Sequence, residues 1–222
     1  MGWKRLPLFT HPRPSSPRGG ASLNCYLIPL LIITLMLYLG SCSQEGNYNG
    51  LVSDESPENF CLKGWNGRSE REVCLSDLKG RAVVLFFGYT RCPDVCPRTM
   101  DLLSRTFRGI PEDMRDGVAV LFISLDPERD SPRHVQRYAG FFGEGFVGLT
   151  GGVEEVGRVA RKFGVLYEKE GSGGSYTINH TALIYLISPD GERMLVYPIA
   201  KQKPELIRAD IEKLILGGDR YE

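Results

Sequence analysis

The 222-residue sequence lacks net charge, because its 27 basic residues are balanced by 27 acidic ones. It also lacks a clustered basic face, which a protein that binds nucleic acid uses to neutralise phosphates. No internal repeat is visible, and no tract indicates a second folded domain. These absences exclude nucleic-acid binding and repeat architectures. They leave one domain of ordinary size with an N-terminal appendage.

The appendage contains an apolar run over residues 25–39, after a leader with four basic residues and no acidic one. A basic leader followed by such a run is typical of a secretory signal. The run ends in Leu39-Gly40-Ser41-Cys42, which resembles a bacterial lipobox and predicts a lipid on Cys42. The alternative is an uncleaved anchor over residues 21–40, which is just long enough to span a bilayer. Both interpretations predict a domain held at a membrane of the cell envelope, on its extracytoplasmic (periplasmic) side.

This interpretation divides the chain into three parts. Residues 1–41 are the signal peptide or anchor, and residues 42–58 are a lipidated cysteine with a tether. Residues 59–222 are the folded domain. The tether is predicted to be flexible because it is polar and contains Gly, Asn, Ser and Pro with few apolar residues.

The number of cysteines is consistent with an oxidising compartment. Cys25 leaves with the signal and Cys42 takes the lipid, so an even number remains: Cys61, Cys74, Cys92 and Cys96. Cys61 and Cys74 lie in two short alternating segments that flank a Gly- and Asn-containing loop, which predicts a β-hairpin. A disulfide between them is one alternative. A shift in strand register, which would separate the two sulfurs, is the other.

Strands and helices alternate through the rest of the domain. The continuous apolar run at 82–87 is typical of a central strand that is buried on both faces. Further strands are predicted at 118–125, 146–149, 182–187 and 193–199. A helix is predicted to follow the cysteine loop and end at about 108, with further helices at 131–142, 153–163 and 203–216 and a flexible loop at 171–174. This order predicts an α/β protein with a thioredoxin-like fold, in which helices flank a central mixed sheet and the hairpin is an N-terminal extension.

Cys92 and Cys96 occupy the loop that follows the central strand, at the predicted start of a helix. Four residues make about one helical turn, so both sulfurs can face the same point. Asp94 is predicted to be the N-cap, and Pro97 then occupies the third helical position, where no amide is needed. The helix N-terminus favours thiolates, which makes both cysteines available as ligands or nucleophiles.

The spacing of the pair favours a metal site. Redox enzymes with this fold use Cys-x-x-Cys, and the extra residue here widens the gap between the sulfurs. Two thiolates prefer Cu(I), and an added imidazole allows Cu(II), whereas magnesium and calcium are disfavoured and zinc is not excluded by ligand type. His11 lies in the leader, so the third ligand is His134 or His180. His134 is predicted to lie on the surface. His180 precedes a buried strand that returns near the cysteine loop, and the residues alone leave it open between a ligand and a structural role.

Four segments resemble the Sco/SenC family: residues 88–97 with the cysteine pair, 124–132, 148–151, and 179–181 with the histidine. The resemblance extends over the whole domain, from about Phe60 to Leu216. It implies that Cys92, Cys96 and His180 bind copper, as Cu(I), Cu(II) or both. It also implies a role in assembling the CuA centre of cytochrome c oxidase subunit II.

The sequence is consistent with two functions. One is a copper metallochaperone without catalytic turnover, which receives copper from an upstream donor and passes it to oxidase subunit II or another envelope cuproprotein. The other is a thiol-disulfide oxidoreductase that uses Cys92 and Cys96 to reduce the cysteines of an apo cuproprotein, with a thiol reductant upstream. Met100 is predicted to be core packing. Two interpretations of Asp126 remain: it supports the metal ligands from behind, or it has an ordinary role in the loop.

Overall fold

A computed structural model describes residues 47–171 and 173–217. Its strands are β1 Leu51–Val52, β2 Cys61–Trp65, β3 Glu70–Cys74, β4 Ala82–Gly88, β5 Val118–Ser124, β6 Val147–Leu149, β7 Tyr167–Glu170, β8 Thr177–His180, β9 Ile184–Ile187 and β10 Met194–Tyr197. Its α-helices are α1 Val95–Gly109, α2 Pro132–Phe142, α3 Val153–Lys162 and α4 Pro204–Ile215.

Six strands form one mixed sheet in the order β1-β10-β9-β4-β5-β6. Strands β4, β5 and β6 are parallel, whereas β9 runs antiparallel to β4 and β10 runs antiparallel to β9. Every residue of β4 and β5 is buried, which explains why both read as continuous apolar runs. The predicted α/β fold with a central mixed sheet flanked by helices is confirmed.

The two faces of β4 contact different elements, because successive side chains of a strand point to opposite faces. Ala82, Val84 and Phe86 belong to a core that contains buried residues of α1, α2 and α4. Val83, Leu85 and Phe87 belong to a second core, which contains buried residues of α3 and of the β2–β3 hairpin. The sheet is therefore covered on both faces, so a functional site is expected at one of its edges.

The segment that was predicted to be a tether is folded in part, which corrects the sequence-based interpretation. Strand β1 pairs with β10 at the edge of the sheet. Just before it, the backbone amides of Asn49 and Gly50 donate hydrogen bonds to the buried Asp210 carboxylate, at 2.8 to 3.0 Å. The polar composition of the segment did not indicate this docking, because much of it depends on hydrogen bonds to one buried acid.

The β7–β8 hairpin was not predicted. Residues 167–170 were assigned to no element, and residues 171–174 were expected to be a loop. The side chains of the hairpin are mostly exposed, and Ile178 is its buried apolar residue. No apolar alternation therefore indicated a strand. The hairpin matters for function because β8 ends at His180.

Among the helices of the described ranges, none is both long and apolar enough to cross a membrane. The predicted signal peptide, the lipobox with Cys42 and the alternative anchor at 21–40 lie outside the described residues.

The β2–β3 hairpin carries a disulfide between Cys61 and Cys74. The two cysteines are directly opposite each other in the antiparallel register, and their sulfurs are 2.04 Å apart. Phe60, Leu62 and Val73 are buried against the second core. The disulfide alternative is therefore the correct one.

Replacing Cys61 and Cys74 together by serine should lower the free energy of unfolding by about 3 kcal/mol. The cross-link joins residues separated by 13 positions, and closing a loop of about that size removes loop-closure entropy from the unfolded chain. Urea unfolding followed by circular dichroism measures the change. The matched control replaces Cys92 and Cys96 by serine, which leaves the disulfide intact. An unchanged midpoint and slope for the Cys61/Cys74 variant would contradict this prediction.

Candidate metal centre

Strand β4 delivers the cysteine loop to the carboxyl edge of the sheet, and Gly88 ends this strand. A Cβ atom at Gly88 would lie 2.8 Å from the Cys96 Sγ atom and 2.9 Å from the Phe122 ring. Such contacts are shorter than van der Waals separation, so a glycine is needed for this sulfur to approach the strand. Cys96 is fully buried as the second residue of α1, and Cys92 is half-buried.

The first turn of α1 differs in one respect from the sequence-based expectation. Asp94 occupies the N-cap position but makes no side-chain capping hydrogen bond, and its carboxylate pairs with Arg98 at 3.0 Å. The Cys96 amide donates instead to the Cys92 sulfur at 3.4 Å. The sulfur of Cys92 therefore accepts from the free amides of the helix N-terminus, as a capping oxygen normally would.

His180 brings a nitrogen to the same point from the last residue of β8. Its Nε2 atom lies 3.5 Å from the Cys96 Sγ atom, and its Nδ1 atom lies 3.1 Å from the Thr181 carbonyl oxygen. A carbonyl can only accept, so this contact favours the tautomer in which Nδ1 carries the proton and Nε2 keeps its lone pair. The lone pair then points toward the Cys96 sulfur.

The topology explains why His180 reaches the cysteine loop. Residue Ile184 of β9 pairs with Phe86, near the carboxyl end of the antiparallel neighbour β4. The residues just before β9 therefore lie at the same edge of the sheet as the cysteine loop. The rings of Phe86 and Tyr89 contact the imidazole edge-to-face, with centroids 6.1 and 6.3 Å from it.

The two thiols have very different acidities. The hydrogen bond from the Cys96 thiol, together with the amides of Cys96 and Asp94, lowers the pKa of Cys92 to about 5. The same hydrogen bond and burial raise the pKa of Cys96 far above its ordinary value. At neutral pH the pair therefore shares one proton, with Cys92 as the thiolate and Cys96 as its donor.

The Cys96 sulfur lies beside the His180 nitrogen, and the Cys96 amide contacts the Cys92 sulfur, so the three side chains lie at the same edge of the sheet. Two sulfurs and one imidazole nitrogen are donors that suit a soft cation such as Cu(I). The absence of a carboxylate from this set disfavours magnesium and calcium. Within the described part of the chain, Cys61, Glu72 and Cys74 have three donor atoms that all lie within 4.8 Å of one another. These two sulfurs are bonded to each other, so they are not available as thiolate ligands.

The other candidate residues are separate from this donor set. His134 lies half-buried in the first turn of α2, where its amide donates to the N-cap residue Ser131. Met100 is fully buried in the core beneath α1, as predicted. Asp126 is also fully buried and accepts hydrogen bonds from Arg129 and Tyr176. It therefore supports neighbouring side chains, and the sequence-based interpretation missed both of its partners.

The alkylation rate of Cys92 should be constant near neutral pH and should fall through a midpoint of about 5 as the pH is lowered. The reason is that the thiolate is the nucleophile, and a lowered pKa keeps it ionised above that midpoint. Iodoacetamide labelling of the reduced, metal-free chain measures the profile. Cys96→Ala should move the midpoint up, because the Cys96 thiol contributes most to the lowered pKa. A midpoint near the ordinary cysteine value in the unsubstituted chain would contradict the assignment.

The chain is similar in sequence and in structure to several known proteins. The mitochondrial SCO1 homolog of Homo sapiens is 37% identical over 133 residues, which cover 59% of this chain and 44% of that protein. Bradyrhizobium japonicum ScoI with copper bound superposes with a TM-score of 0.64 at 36% identity, over 72% of this chain and 99% of that one. A SCO1/SenC family lipoprotein from Bacillus anthracis gives 0.63 at 25% identity, over 73% and 96%.

This chain spans about half the length of the curated relatives that it matches. The match to the SCO1/SenC family model extends over residues 59–216, from the start of the β2–β3 hairpin to the end of α4. That range contains both cysteines of the loop and the histidine of β8. The chain belongs to the SCO1/SenC family.

Proposed function

We propose that this chain binds one copper ion through Cys92, Cys96 and His180 and delivers it during assembly of the CuA centre of cytochrome c oxidase subunit II. The observation that carries the proposal is the 3.5 Å approach of His180 Nε2 to the sulfur of Cys96, beside the half-buried Cys92. A relative with copper bound and 36% identity supports the choice of metal. The recipient follows from the family resemblance.

The donor set suits a carrier that must release its cargo. Three ligands leave a copper ion coordinatively open, so that a ligand of the recipient can join before one of the carrier's ligands departs. Cys92 is the more accessible of the two cysteines and Cys96 is fully buried. Exchange therefore begins at the Cys92 side, and the buried sulfur is released last.

The domain is held at the envelope membrane by a lipid on Cys42 in this proposal, with the folded part on the extracytoplasmic side. A relative described as a lipoprotein supports this arrangement. Fractionation of cells that express Cys42→Ala tests the lipid, because the variant should leave the membrane fraction. A variant that stays in the membrane fraction would favour the uncleaved anchor.

A second candidate function is supported by the acidity of Cys92. A thiolate with a pKa of about 5 can attack a disulfide of an apo cuproprotein and form a mixed disulfide, with release of one partner thiolate. Cys96 then gives up its proton and attacks Cys92, which releases the second thiolate and leaves a Cys92–Cys96 disulfide. The partner gains two electrons and this chain loses them. Reduced, copper-free chain should then produce partner thiols stoichiometrically, and no gain of thiols would exclude this function.

Copper titration of the reduced, full-length chain in detergent tests the metal site. We expect one copper ion per chain, whether the titrant is Cu(I) or Cu(II), and we expect Cys92→Ser or Cys96→Ser to abolish tight binding in both titrations. His180→Ala should retain Cu(I), which two thiolates can hold, and should lose Cu(II), which favours the nitrogen ligand. His134→Ala is the matched control and should bind like the unsubstituted chain. Equal behaviour of the two histidine variants would contradict the assignment of His180.

A further inference from the structure

We infer that the turn formed by residues 126–130 positions both halves of the metal site, holding the cysteine loop with Asp130 and the histidine hairpin with Asp126 and Arg129. We refer to these five residues as the 126–130 turn. The inference rests on the proposed function, because it concerns the residues that hold the proposed ligands in place.

The 126–130 turn lies at the carboxyl edge of the sheet, directly after β5. The amide of Leu125 donates to the carbonyl of Gly88 at 2.7 Å, which joins this region to the end of β4. The amides of Arg129 and Asp130 both donate to the carbonyl of Asp126, at 3.1 and 2.9 Å, and close the turn on itself. Asp126 and Asp130 are fully buried. Two buried acids are costly unless hydrogen bonds satisfy them, so their partners are held firmly.

Asp130 holds the cysteine loop. Its carboxylate accepts from the Thr90 amide at 2.9 Å and from the Thr90 hydroxyl at 2.5 Å. The hydroxyl of Ser124, the last residue of β5, also donates to it at 2.6 Å. Thr90 is two residues before Cys92, so these bonds set where the loop leaves β4.

Asp126 and Arg129 hold the hairpin through three different parts of Tyr176. The tyrosine hydroxyl donates to the Asp126 carboxylate at 2.5 Å. The Arg129 guanidinium lies 3.5 Å from the centre of the tyrosine ring and donates to the Tyr176 carbonyl at 2.9 Å. The Arg129 Nε group also pairs with Asp126 at 2.5 Å, which completes the cluster. Tyr176 directly precedes β8, whose last residue is His180.

Apart from Ile178, which is buried in the first core, and Tyr167, which packs against it, the hairpin is held mainly by polar contacts. Strands β7 and β8 form a separate two-stranded sheet, and within the described residues they pair with no other strand. A two-stranded hairpin is marginal by itself in water. Beyond His180, a hydrogen bond from the Thr181 amide to the Leu166 carbonyl closes its base, at 2.9 Å. At its other end, Lys169 pairs with Glu128 of the same turn at 2.8 Å. The turn therefore fixes the end of β8 that is farther from the base.

The two halves of the site predict two different copper phenotypes. Loosening the hairpin displaces the histidine alone, so Cu(II) binding should weaken while the two thiolates still hold Cu(I). Loosening the cysteine loop displaces the thiolates, so binding of both oxidation states should weaken. A merely structural role for the turn would reduce stability without this difference.

Tyr176→Ala tests the hairpin contact, because it leaves Asp126 paired with Arg129 and so avoids a lone buried charge. We expect Cu(II) binding to weaken by about 10-fold or more, which is the usual range for residues that orient metal ligands, with a much smaller change for Cu(I). Amide hydrogen exchange in β7 and β8 should become faster in the metal-free chain. Tyr176→Phe keeps the ring on Arg129 and should restore most of the binding.

Tyr185→Phe is the matched control for Tyr176→Phe, because each removes one tyrosine hydroxyl. The Tyr185 hydroxyl donates to the Phe163 carbonyl at 2.7 Å in the second core. Tyr185→Phe should leave Cu(II) binding and hairpin exchange unchanged. Thr90→Val should weaken Cu(I) and Cu(II) together. Unchanged Cu(II) binding or unchanged hairpin exchange in Tyr176→Ala, or equal losses of Cu(I) and Cu(II), would overturn the inference. If the unsubstituted chain binds no copper, the proposed function fails, and hairpin exchange in the metal-free chain still decides whether Tyr176 positions the hairpin.

Discussion

The approach of the Cys96 sulfur to the imidazole of His180 is the contact on which the site depends. It joins residues that are 84 positions apart and is only 3.5 Å long. The sulfur reaches this position because Gly88 leaves room beside it, and the imidazole reaches it because β8 ends at the edge of the sheet where β4 ends. Neither element brings both donors by itself. The order of the strands in the sheet brings the two donors together.

A shared proton links the electrostatics of the pair to both candidate functions. Cys92 is a thiolate at neutral pH because Cys96 donates to it, and burial keeps the proton on Cys96. A cation held by Cys92, Cys96 and His180 would supply the charge that Cys96 needs in order to ionise, so metal loading would release that proton. In disulfide exchange, the same proton leaves when Cys96 attacks Cys92. The dithiolate chemistry is therefore common to both functions, and the imidazole distinguishes them because only metal binding uses it as a ligand.

Much of the fold could be predicted because its strongest signals are local. The apolar run at 82–87 became the buried strand β4, Ser131 caps α2 as expected, and the Cys61–Cys74 hairpin follows from alternation around a turn. No such signal marks the β7–β8 hairpin or the docked residues before β1. Both make polar contacts with distant residues, namely Tyr176 with Asp126 and Asn49 with Asp210. Periodicity detects burial of apolar side chains, and it does not detect a hydrogen bond to a buried acid.

Oxidase activity and CuA content in cells that lack this protein test copper delivery most directly, when the cells are complemented with the unsubstituted chain, His180→Ala or Cys96→Ser. The account predicts that only the unsubstituted chain restores both quantities, and that added copper, but not added thiol reductant, rescues the two variants. Restoration by His180→Ala, together with rescue of Cys96→Ser by the reductant alone, would contradict copper delivery and identify the protein as a thiol-disulfide oxidoreductase.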